Sequence, residues 1–124
     1  MRKTARLATT ALSLATLMAA AGMLPTVAAA ADAAQIKFGK EVAFDRKKGN
    51  CLACHLIQGA QFANSNIAPP LIAMKARFPD KAKLREQIWD ATVKNPNSLM
   101  PPFGKHKALT EKEIDLVVEF LYSL

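Results

Sequence analysis

Cysteine is scarce in this chain: 124 residues carry two thiols, Cys51 and Cys54, and two histidines, His55 and His106. So few thiols exclude the multi-bridge scaffold by which small exported domains often compensate for a thin core. A tetrahedral zinc site needs more cysteine or histidine than His106 supplies. No apolar run reaches the roughly 20 residues of a membrane span, since Ala11–Leu24 is shorter and holds Ser13 and Thr16. No adjacent Arg-Arg pair is present, which argues against twin-arginine export. Strand-like alternation, internal repeats and a domain linker are all missing. A dense basic stripe with interleaved aromatics is missing too, which argues against nucleic-acid binding.

Acidic residues are absent before Asp32, and that absence is informative. Arg2, Lys3 and Arg6 open the chain, the apolar stretch follows, and Pro25 precedes the small residues Ala28–Ala31. Basic, then apolar, then small is the order of a cleavable Sec-type signal. Cleavage is expected after Ala30, with Ala31 or Ala33 as alternatives. Residues 1–30 are thus read as a signal and 31–124 as one small domain, periplasmic and without a stable membrane anchor. The mature chain keeps fourteen basic and ten acidic residues, a formal +4. That mild excess suits docking to an acidic protein. Domains this small bury only about two-thirds of their unfolded surface, so a cofactor would complete the core.

The helical pattern is clear. Ala33–Asp45 reads as a helix, with Gly39 allowing a second helix to cross closely. Leu56–Leu71 reads as loop, and Leu71–Phe78 holds a short helix. Asp80 is placed to cap a helix over Lys81–Lys94. Thr110 and Glu113 form a capping box for a last helix, with Leu109 placed to staple onto Ile114. Its face Ile114, Val117, Val118 and Leu121 is apolar. The fold is expected to be all-α, with long loops packed on something large.

Cys51-Leu52-Ala53-Cys54-His55 supplies that group. In C-x-x-C-H spacing two thiols form thioethers with haem vinyls, and the adjacent imidazole reaches the iron. The expected cofactor is one covalent haem c. A redox dithiol, the rival reading, belongs in an α/β context that is absent here. For the sixth iron ligand the candidates are Met74, Met100 and His106. Met100 sits in the stiff Asn97–Gly104 segment beside Pro101 and Pro102 and is preferred. Met74 lies on an expected helix as core filler. His106 lies in the cationic Lys105–Lys107 stretch. Ile67–Leu71 is expected to turn the Pro69 carbonyl toward the His55 ring, with Leu71 packed on the haem. Lys47, Lys48, Lys105 and Lys107 are expected to ring the exposed haem edge. Leu56, Ile57, Phe62 and Ile67 are expected to form an apolar contact patch.

These features together resemble class I cytochromes c over nearly the whole mature chain, with Ala68 standing where a glycine is usual. More closely, Lys48–His55, Phe78–Lys81, Ile88–Asp90, Asn95–Gly104 and Leu109–Val117 resemble the SoxX family, monohaem subunits of SoxAX cytochrome complexes. The resemblance implies a periplasmic heterodimer with a SoxA-like subunit that joins thiosulfate to a cysteine of a SoxYZ-like carrier. It further implies that bond formation belongs to SoxA, while this haem passes electrons to a soluble cytochrome c. No catalytic residue is then expected here. The alternative is a free-standing electron shuttle.

Overall fold

The computed structural model describes residues 27–60 and 65–124, with side chains from Asp32 onward. Residues 1–26 of the expected signal, and Phe62, lie outside the described residues. Helix α1 spans Val27–Phe44 and begins earlier than expected. Four consecutive alanines, the best helix formers, carry it back through Ala28–Ala31. The expected cleavage point after Ala30 therefore falls within α1.

Asp45 closes α1 by turning its carboxylate onto the Lys47 amide at 2.8 Å. Asn50, in the left-handed region at φ 46°, redirects the chain into a 3-10 turn over Cys51–Ala53. The short helix α2 is one turn, Met74–Arg77, entered through Ala73 at φ 48°. Helix α3 spans Lys81–Trp89, with Asp80 capping the Ala82 amide at 2.8 Å.

The expected continuation of α3 to Lys94 does not occur. Asp90 is extended, and a 3-10 turn, Ala91–Val93, follows. The physical reason is local competition for amides. Asp90 Oδ1 accepts from the Thr92 amide at 3.0 Å and from the Thr92 hydroxyl, which restarts the chain rather than extending the helix. Val93 is consequently exposed instead of packed.

Helix α4, Glu111–Tyr122, carries the full capping box: Glu113 N donates to Thr110 Oγ1, and Thr110 N donates to Glu113 Oε2. Its expected apolar face is buried, together with Phe120 and Leu109. The principal packing is α1 against α4. At Gly39 a Cβ would sit 1.9 Å from the Leu116 carbonyl oxygen, so only glycine permits this crossing. Phe44 meets Phe120 edge-on at 5.8 Å. Among the described residues no strand forms, only an isolated parallel bridge between Ile57 and Leu71.

Candidate haem c site

The haem motif folds as a tight turn because each amide finds a nearby carbonyl. Cys54 N and His55 N both donate to the Cys51 carbonyl, at 3.2 and 2.9 Å. This compact turn leaves both thiols half-buried and lining one cavity with His55. Burial pushes the Cys51 thiol up to about 11. A redox dithiol requires the opposite, a thiolate stabilised near neutral pH. Among the described residues no three His, Cys, Asp or Glu side chains gather to hold a metal ion by themselves.

The following loop is laid along the motif by three bonds in succession. Ala68 N donates to the Cys54 carbonyl at 2.8 Å, and Leu71 N donates to the Leu56 carbonyl at 2.9 Å. Between them the His55 Nδ1 lies 2.7 Å from the Pro69 carbonyl oxygen. A carbonyl can only accept, so Nδ1 carries the proton and Nε2 is the nitrogen left for a metal. Pro69 and Leu71 both line the cavity. Arg77 supports the same loop from α2, donating to the Pro70 carbonyl at 2.6 Å.

Met100 lines this cavity as well, with its amide held by Ser98 Oγ at 3.2 Å. Met74 lines it too, but it is buried in the core and its Sδ accepts from Arg77 at 3.6 Å. His106 is exposed and contributes nothing to the lining. Cys51, Cys54, His55, Pro69, Leu71 and Met100 are thus brought to one space, while His106 is not.

The cavity measures about 760 Å³ and runs through the middle of the core, between Leu71, Leu84, Ile88, Val117 and Leu121. The cavity is large and its wall is mainly apolar, which suits a large, mainly apolar group. Its charged lining is all basic, with Arg46, Lys47, Lys48 and Arg77 and no carboxylate, which suits a group carrying two acid side chains. Volume, apolarity, charge and donor set fit haem c: Cys51 and Cys54 would hold it and His55 would ligate its iron, with Met100 available as the second axial donor. When bound, the haem supplies a reversible one-electron couple.

Two surface expectations change. Lys48 is paired with Glu113, and Lys105 with Asp90 at 2.8 Å, so half of the expected lysine ring is neutralised within the chain. Ile57 belongs to the core, being fully buried, while Leu56 and Ile67 remain exposed. Ile57 turns inward because pairing with Leu71 fixes its direction. Sequence reasoning missed Arg77, Asp90 and Gly104, whose roles lie in contacts to backbone or to distant side chains.

A family model described as cytochrome c oxidase, cbb3-type, subunit III matches residues 39–121, about two-thirds of the chain. An uncharacterized lipoprotein of Aquifex aeolicus (strain VF5) is 37% identical over 76 residues, 61% of this chain. The match spans only 37% of that relative's length. With an all-helical frame, a C-x-x-C-H turn and a core built around a haem-sized cavity, the chain belongs to the cytochrome c family described as cytochrome c oxidase, cbb3-type, subunit III.

Proposed function

We propose that the chain is an exported monohaem electron-transfer cytochrome c, with haem attached at Cys51 and Cys54 and iron held by His55 and Met100. The observation that carries this reading is the composition of the cavity wall. His55 and Met100 line it beside Cys51 and Cys54, and no carboxylate does. His55 is held in one tautomer, and His55 and Met100 would together be the donors to a haem iron held here, which would supply a one-electron couple. Thioether ligation favours the ferrous state and suits an electron acceptor.

In its finer form the reading is a SoxX-like subunit that accepts electrons as a SoxA-like partner couples thiosulfate to a SoxYZ-like carrier. The segments resembling SoxX support it, as does the pairing of Lys48 and Lys105, which reduces the charge a freely diffusing shuttle would use for steering. Both readings share periplasmic location, where haem attachment and the signal-like first 30 residues agree. The test has two stages. The purified holoprotein should show a six-coordinate low-spin spectrum that Met100→Ala converts to high spin. Thiosulfate should reduce the haem only when a second, SoxA-like cytochrome is added. Unaided reduction of the isolated chain would overturn the subunit reading and leave the electron carrier standing.

A further inference from the structure

The segment carrying Met100 has no regular structure, yet it must hold a sulfur at a fixed place. Among the described residues, the hydrogen bonds of 96–109 stay within 95–109, except at one junction. There Gly104 N and Lys105 N both donate to the Trp89 carbonyl, at 3.1 and 3.3 Å. That acceptor is free for them because α3 stops at Trp89. Beside it, Lys105 Nζ reaches Asp90 Oδ2 at 2.8 Å. Asp90 is buried and its other oxygen is occupied by Thr92, so its position is determined before the lysine arrives. Gly104 completes the joint, since a Cβ there would lie 2.2 Å from the Trp89 indole.

We propose that Asp90 and Lys105 form a latch that positions the Met100 loop over the iron, so that the end of α3 controls how readily the sixth ligand lets go. The inference rests on Met100 being that ligand. Neither residue lines the cavity, so the pair acts through the loop and not on the haem. The Trp89 carbonyl sets the loop's depth, and the ion pair resists its outward swing. Replacing Lys105, the exposed end of the pair, breaks the ion pair without altering a side chain that lines the cavity.

The test is imidazole binding to the ferric holoprotein, with the reduction potential as a second readout. Lys105→Met should raise imidazole affinity about three- to tenfold, up to about 1.4 kcal/mol. Its potential should fall as the thioether bond weakens. Lys105→Arg, which keeps the charge, should restore wild-type binding. Lys81→Met removes an ion pair of similar exposure at Glu119, away from the cavity lining, and should leave imidazole affinity unchanged even where it lowers the melting temperature. Wild-type imidazole affinity in both Lys105→Met and Asp90→Asn would overturn the latch, as would equal effects of Lys81→Met and Lys105→Met. Met100→Ala separates the two claims: a spectrum that stays low-spin overturns Met100 as ligand, whereas a high-spin Met100→Ala beside an unresponsive Lys105→Met overturns the latch alone.

Discussion

His55 Nδ1 lies 2.7 Å from the carbonyl oxygen of Pro69, fourteen residues on, and that one bond sets the tautomer of the ring. Flanked by the Ala68–Cys54 and Leu71–Leu56 backbone bonds, it makes the loop a brace for the haem motif. Donation to a carbonyl raises the basicity of the ring, which favours ferric iron. Pro69→Gly keeps the acceptor but frees the loop that aims it. The reduction potential is expected to rise relative to wild type, measured by spectroelectrochemical titration. An unchanged or lower potential would show that the brace does not tune the iron.

The α1–α4 crossing is intolerant at Gly39. A methyl group there meets the Leu116 backbone, which cannot rotate away as a side chain can. Gly39→Ala should cost about 1–3 kcal/mol or more through overpacking, despite the gain in helix propensity. Thermal unfolding of the holoprotein checks it. A variant as stable as wild type would mean that the helices separate without penalty.

At the start of α4, Thr110→Ala removes the cap and should cost about 1 kcal/mol. In a domain of this size that lowers the melting temperature by about 4–8 °C. Because Thr110 lies outside the cavity lining, the haem spectrum should not change.

Acid should destabilise the protein through two carboxylates. Lys105, and then Thr92, hold Asp90 down to about 2 from an ordinary 3.8. Lys48, and then the Thr110 amide, hold Glu113 down to about 2 from 4.5. Both folded values lie below the unfolded ones, so their stabilisation is present above about pH 4.5 and is lost as pH falls toward about 2. Melting temperature should be level from neutrality to about pH 5 and drop below it, and Glu113→Gln should flatten part of that drop. A melting temperature that rose on acidification would contradict both assignments.

The haem motif, the Thr110–Glu113 cap and the apolar face of α4 were legible from residue order because each depends on neighbours within one or two turns. Gly39 was legible as a crossing point, though not what crossed it. The end of α3 was misjudged. Apolar spacing runs on past Asp90, but the helix stops where a side chain satisfies the next amides and a loop from Gly104 takes the freed carbonyl. Ile57 was misjudged likewise, because its direction follows from pairing with Leu71.

Sequence alone supplied the candidate donor set: two thiols and an imidazole at C-x-x-C-H spacing. Tertiary structure decided which residues serve that chemistry from a distance. The Pro69 carbonyl facing His55, Arg77 behind Pro70, and Asp90 beside Lys105 are separated along the chain and have no periodicity. Their meeting depends on how the helices and loops close around the cavity, and packing in three dimensions is what brings such groups within bonding distance.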